Sequence, residues 1–294
     1  MKTHFIVNPR SGGAARALEP VQAFAKRHGA SVAITERSRH ASELARRAME
    51  ENCELIVAVG GDGTMNEVAG ALTGTDAVLG LVPCGSGDGL GRHLGIHGPL
   101  PHALEIIVSG HARTIDTGMA NGHPFFTVAG LGFEAEISSR FNRLTQRGFL
   151  RYLTTSARAW RDFKPFECTV EHAGNREQLR LFTLAVANSD QYGNNALIAP
   201  GARVDDGLLD LTAVPPVNLL NALPLFSRLF SGSLHAANVT RRQSTHFIVD
   251  GLAAGSLLHT DGEIHPAGSR VEFSIRPGSL RVMVSGAASP SRRQ

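Results

Sequence analysis

Along the first third of the chain, short apolar runs alternate with stretches whose apolar residues recur every three or four positions. Residues 4–8, 31–35, 55–59 and 78–82 are runs of the first kind, and Leu55-Ile56-Val57-Ala58-Val59 is unbroken. Such runs suit strands buried on both faces of a parallel sheet. Between them, Ala14, Ala17, Leu18, Val21 and Ala25 lie at helical spacing over residues 14–28, as do Ala41, Leu44, Ala45 and Ala48 over 40–51. Another helix is predicted from Met65 to Leu72. Strands alternating with helices predict an α/β domain with a parallel sheet covered on both faces. The pattern changes near Asn121. Short β-rich runs then recur at 125–129, 166–171, 179–188, 208–214, 245–250, 271–276 and 280–285, separated by turn residues. They predict an antiparallel β-sandwich. Helical stretches at 134–163 and 217–230 interrupt it. The expected boundaries are 1–122 for the first domain, 123–285 for the second and a polar tail over 286–294.

Glycine-rich loops follow two of the predicted strands. The first, Gly60-Gly61-Asp62-Gly63-Thr64, joins the 55–59 strand to the Met65 helix. Glycines let the main chain come close to a ligand. The amides of a Gly-rich turn at a helix N-terminus form a seat for phosphate. Asp62 suits a metal ion bridging phosphate oxygens, and Thr64 can donate a hydrogen bond. The common phosphate motifs are absent. Asn66 stands where a dinucleotide fingerprint needs glycine or alanine, and no Gly-Lys pair exists for a P-loop. In a parallel sheet, ligands sit beyond the carboxyl ends of the strands. That places Asn8, Gly60 to Thr64, and the second loop from Gly85 to Asp88 on one rim.

GGDGT followed by Asn66-Glu67 resembles the catalytic domain of the diacylglycerol kinase, sphingosine kinase and bacterial lipid kinase family, within the NAD kinase-like superfamily. Other pieces match in the family's order: Asn8-Pro9-Arg10-Ser11-Gly12-Gly13, Pro83-Cys84-Gly85-Ser86-Gly87-Asp88-Gly89-Leu90 and Ile115-Asp116-Thr117-Gly118, then Ala199-Pro200-Gly201-Ala202, Asp205-Asp206-Gly207-Leu208-Leu209-Asp210 and Asp261-Gly262-Glu263. The resemblance implies an ATP-dependent lipid kinase that phosphorylates a hydroxyl of a lipid such as diacylglycerol or a sphingoid base. It implies ATP and Mg²⁺ as cofactors, with Asn8, Ser11, Gly60, Gly61, Asp62, Gly63, Thr64, Glu67, Gly85, Ser86 and Asp88 at the nucleotide. Asp261 is then the catalytic base, supported by Glu263, although the pattern Asp-Gly-Glu by itself reads as a hairpin turn. A structural Mg²⁺ is implied at Asp206 with main-chain oxygens near Arg203 and Leu208, and Asp116 matches a family aspartate of the same metal network. In the family the chain end can return to the first domain. This sequence has Asp88 where the family usually has asparagine, and a carboxylate beside triphosphate repels it unless a cation intervenes. Two rival readings are an NAD kinase-like phosphotransferase and a catalytically weak nucleotide-binding regulator. His93 and His97 could share a helix face, though Gly95 and Gly98 weaken that helix and no third metal ligand is evident.

Composition sharpens the choice of partner. Among 294 residues the net charge is only +3, but residues 137–164 hold seven positives and one negative. That segment interleaves Phe141, Leu144, Phe149, Leu150, Tyr152, Trp160 and Phe163 with its charges, which fits either a solvated helix or a surface facing anionic lipid. No nucleic-acid-binding module accompanies it. Leu219, Leu220, Leu223, Phe226, Leu229 and Phe230 form a second apolar stripe, expected to be core. Cys53, Cys84 and Cys168 are too few and too scattered for a disulfide framework, which suits a reducing compartment. Neither a signal peptide nor an apolar run of membrane-spanning length stands out. The expectation is a cytoplasmic protein, monomer or homodimer, associating peripherally with the membrane that holds its substrate.

Overall fold

The computed structural model describes residues 1–142, 159–160, 162–234 and 238–286. They form two compact units. One holds Met1–Thr117, Tyr192–Asn195 and the chain from Pro277, and the other holds Gly118–Gln191 and Ala196–Arg276.

The first unit alternates strand and helix: β1 (Thr3–Val7), α1 (Ala14–Arg27), β2 (Ser31–Ile34), α2 (His40–Glu50), β3 (Leu55–Gly60), α3 (Asp62–Leu72) and β4 (Val78–Pro83). Short α4 (Gly89–His93), α5 (Leu100–Ser109) and β5 (His111–Ala120) follow. Strands β2, β1, β3 and β4 neighbour one another in that order, all parallel. β3 is central, and Leu55, Ile56, Val57, Ala58 and Val59 are all at most 1% exposed, as a strand covered on both faces must be. Burying each large side chain of this kind contributes roughly 1.5–3 kcal/mol. The first glycine loop therefore starts from a fully buried strand.

The second unit is all-antiparallel apart from its helices. β6 (His123–Phe125) and β7 (Val128–Gly132) are followed by α6 (Phe133–Asn142), β8 (Phe166–His172), β9 (Asn175–Leu181), β10 (Thr183–Ala187), β11 (Leu209–Val214) and α7 (Leu219–Ser231). Then come β12 (Thr240–Ser244), β13 (His246–Asp250), β14 (Leu257–Thr260), β15 (Glu263–Pro266) and β16 (Arg270–Val284). One sheet runs β12-β11-β10-β7-β14-β15, and β9-β8-β13 with the start of β16 make the other. Leu131, Leu184, Val186 and Leu211 from the first sheet share a core with Val170, Phe247, Val249 and Phe273 from the second. This is the expected sandwich.

Several boundaries differ from the sequence reading. The strands expected at 271–276 and 280–285 are one, β16, which runs through Pro277 and a left-handed Gly278 (φ 57°) without reversing. Its start, Arg270 to Ser274, pairs with β13, while Arg281 and Val282 pair in parallel with Val78 and Leu79 of β4. The end of the strand thus belongs to the first unit, whereas the expected second domain ran to 285. The run at 179–188 divides at Phe182, and polar β12 escaped notice because Thr-Arg-Arg-Gln-Ser lacks an apolar alternation.

Two surface expectations remain to be placed. Most of the Arg-rich segment, residues 143–158 and 161, lies outside the described residues. Of the rest, Arg140 is paired with Glu136 and Asp162, while Trp160 and Phe163 pack against Phe133 and Phe182. Of the stripe expected to be core, three residues are exposed and Leu229 is half-buried, while the side chains of Leu219 and Leu220 lie outside those described. Leu223 is 75% exposed, Phe226 44% and Phe230 39%. Periodicity identifies an apolar face without saying whether anything covers it.

Candidate active site

In the first unit, three loops lock together at the carboxyl ends of β1, β3 and β4. Asn8 donates from its backbone to Val59 O at 3.0 Å and from Nδ2 to Thr64 Oγ1 at 2.9 Å. Ser11 Oγ accepts the Gly61 N–H at 2.8 Å. Cys84 is the keystone: its N–H donates to Gly60 O at 2.7 Å, and its carbonyl accepts from Gly13 N at 2.8 Å. α3 begins at Asp62 rather than Met65, after Gly61 in an extended conformation. The N–H groups of Asp62 and Gly63 therefore have no carbonyl one turn earlier to bond, which leaves donors and the positive end of the helix dipole at the loop. Ser86 is exposed on the facing loop.

Asp62 has a structural engagement that the sequence reading did not foresee. Its Oδ2 accepts from Asp88 N and its Oδ1 from Gly89 N, each at 3.2 Å, so it ties the third loop to the helix start. Glu67, expected at the nucleotide, has both carboxylate oxygens bonded within the protein. Its two oxygens accept the N–H groups of Arg39 and Ala41, each at 3.0 Å, and so cap α2. Arg39, at the N-cap, has no side chain that can do this. The tetrapeptide from Tyr192 joins this unit through Asn194, whose N–H donates to Gly87 O at 3.0 Å.

Asp88 is left-handed at φ 52°, buried, and bonded to His97 Nδ1 through Oδ2 at 2.7 Å. Its carboxylate is thus turned into the protein instead of toward a ligand. His97 acts here as its partner, and among the described residues no cluster of three His, Cys, Asp or Glu side chains could hold a metal. Burial, followed by the nearby charge of Asp62, pushes the Asp88 pKa up to about 6, against the pull of His97. A carboxyl whose folded pKa exceeds its unfolded value is most compatible with folding when protonated, so stability is lost as pH rises from about 4 through 6. Asp88→Asn removes that cost. The expected outcome is a melting temperature raised over wild type at pH 8, by on the order of 2 kcal/mol of stability, with the gain shrinking toward pH 4. Equal gains at both pH values would contradict it.

In the second unit, β14 and β15 form a two-residue hairpin with Asp261 at φ 49° and Gly262 at φ 86°. Both central residues left-handed is the turn type that Asp-Gly favours. The hairpin reading is therefore realised, and it turns the carboxylate back onto the break between β6 and β7. Oδ2 accepts from Phe126 N at 2.7 Å; Oδ1 accepts from Thr127 N at 3.0 Å, Val128 N at 2.9 Å and the Thr127 hydroxyl. Behind that break, Asn188 donates from Nδ2 to Phe126 O at 3.1 Å and from its backbone to Thr127 O at 2.8 Å. Burial raises the Asp261 pKa, and the hydrogen bonds from Thr127, Phe126 and Val128 oppose the rise. Thr127 and Asn188 were not singled out in the sequence, and no motif there marks them. Glu263 opens β15 and is exposed.

The remaining acids each hold a turn. Asp116 is buried and accepts from Gly278 N at 2.7 Å. Asp206 Oδ1 accepts from Leu208 N at 3.1 Å across left-handed Gly207, and the exposed Arg203 bonds Asp205.

Comparison with known proteins agrees with this layout. The diacylglycerol kinase catalytic domain family matches residues 2–120, and the YegS C-terminal NAD kinase beta sandwich-like domain family matches 127–284. The chain belongs to this lipid kinase family. A protein named diacylglycerol kinase from Mycobacterium tuberculosis is 30% identical, with 96% of this chain and 94% of that one covered. A "probable lipid kinase YegS-like" protein of Pseudomonas fluorescens is also 30% identical, over 85% of this chain and 84% of its own. Among solved structures, a putative diacylglycerol kinase from Bacillus anthracis shares the fold of this lipid kinase family member at TM-score 0.77 and 19% identity, with 98% of this chain and 96% of that chain covered.

Proposed function

We propose that the chain is an ATP-dependent kinase that moves the γ-phosphate to a hydroxyl of a lipid such as diacylglycerol or a sphingoid base. The observation that supports this reading is the start of α3, where the Asp62 and Gly63 amides adjoin the interlocked loops of Asn8, Ser11, Thr64 and Gly85, with Ser86 proposed to join them. Unpaired amides at a helix N-terminus suit a chain of anionic oxygens. Mg²⁺ fits here, because it takes one or two carboxylates and completes its shell with water and phosphate oxygens. Each Asp62 oxygen accepts one backbone N–H and keeps a lone pair for it. When bound, Mg²⁺ offsets the charge on the phosphoryl oxygens. A second Mg²⁺ is proposed at the Asp206 turn with the Arg203 and Leu208 carbonyls, and Asp116 is proposed to serve a metal through water.

The acceptor hydroxyl loses its proton to Asp261. Oδ1 already has three donors and Oδ2 only one, so Oδ2 is the atom with capacity to take it. Glu263 lies next in the same hairpin as support. Incubation with labelled ATP and a total lipid extract, with NAD as a competing acceptor, tests the reading. Label is expected in a lipid; label found only in NAD, or ATP bound with no product, overturns it. Asp62→Ala is expected to weaken ATP binding about 10- to 100-fold by releasing the Asp88 and Gly89 amides as well as removing a charge. Calorimetric titration of ATP checks this.

A further inference from the structure

Among the described residues, helix α7 leaves Leu223, Phe226 and Phe230 exposed at 75%, 44% and 39%. Leu223, Phe226 and Phe230 are half of the six exposed large apolar side chains among the described residues. Their spacing of three and four puts them on one face, and the Phe226 and Phe230 rings sit 4.9 Å apart. The helix is held near its C-terminal end by its backbone, where Leu229 O accepts from Leu197 N at 2.7 Å.

Charge says which occupant suits it. The chain has 26 acidic residues, yet none lies between Asp210 and Asp250, a stretch that includes α7 and the cations Arg228, Arg241 and Arg242. Arg241 and Arg242 lie on β12 and are paired with Asp210 and Glu177, while α7 itself carries Arg228 and no carboxylate to repel an anionic surface. The area argues against a second copy of the chain. Three partly exposed side chains offer on the order of 300 Å², given roughly 150–250 Å² for a whole aromatic one. A stable dimer needs about 800 Å² per partner. A bilayer interface sets no such shape requirement: Phe and Leu enter the acyl boundary while arginine meets the head groups.

We propose that α7 is a membrane-docking helix that inserts Leu223, Phe226 and Phe230 into the interface of an anionic bilayer. Sedimentation with phosphatidylglycerol–phosphatidylcholine vesicles tests it, without nucleotide or acceptor lipid, so failure of the kinase reading leaves this readout intact. Wild type is expected to bind these vesicles, less so pure phosphatidylcholine. The triple variant Leu223→Ser, Phe226→Ser, Phe230→Ser should partition at least tenfold more weakly while melting as wild type does. A second variant, Phe226→Trp in a Trp160→Phe background, should shift its emission to the blue and be quenched by brominated lipid. The proposal is overturned if the triple variant binds vesicles as wild type does, if wild type fails to bind, or if the substitutions instead dissolve a dimer.

Discussion

Asp261→Asn is expected to lower turnover by about 10²- to 10⁴-fold, the usual contribution of a positioned base, while ATP still binds. Asparagine cannot accept the hydroxyl proton. It also fits the cradle imperfectly. With its oxygen in the Oδ1 place, facing Thr127 and Val128, its Nδ2 meets the Phe126 N–H donor to donor. Losing that bond costs about 1–3 kcal/mol, so melting temperature must be measured beside activity. Thr127→Val separates the two effects. It takes a donor from the same carboxylate and leaves the proton acceptor in place, so it should cost stability with little loss of turnover. Turnover of Asp261→Asn within tenfold of wild type would remove the base from the mechanism.

Gly12→Ala is the second substitution expected to have a large effect. Gly12 is left-handed at φ 54°, and an added Cβ would collide with the carbonyl oxygen of Cys84. Neither problem can be relieved by moving a flexible side chain, because the clash is with backbone. That same carbonyl accepts from Gly13 N, so relief by moving it loosens the join between the first and third loops. The expected result is a loss of about 2–4 kcal/mol together with ATP affinity too weak to measure at millimolar nucleotide. Gly29→Ala is the contrasting control, since Gly29 is also left-handed at φ 65° but an added Cβ there meets nothing within 4 Å. If Gly12→Ala binds ATP as Gly29→Ala does, the interlocked loops are not the nucleotide seat.

The residues that could be read in the sequence are those whose signal is local. β3 announces itself by five consecutive apolar residues, and the Asp261-Gly262 turn by a dipeptide that tolerates two left-handed positions. What escaped is non-local. Glu67 stands beside the GGDGT run, and only the folded chain reveals that its carboxylate reaches across to α2. The break at Phe126 and Thr127 looked like the middle of one strand, because nothing in that stretch records that its amides turn toward a residue more than a hundred positions away. Asp88 reads as a charge aimed at phosphate until His97, nine residues on, is seen to hold it. The stripe on α7 was legible as a stripe; whether it was covered was not.

The route of the backbone through β16 constrains biosynthesis. Asp116 must wait for Gly278, 162 residues later, and Val78 for Arg281. At about 5–20 residues per second, the first unit emerges from the ribosome roughly 10–30 s before the strand that completes its sheet. During that interval the open flank of β4 is an unpaired edge of Val, Leu and Gly, the kind that nascent chains pair wrongly. Truncations that end before Pro277 should therefore yield insoluble protein even though every glycine loop is intact.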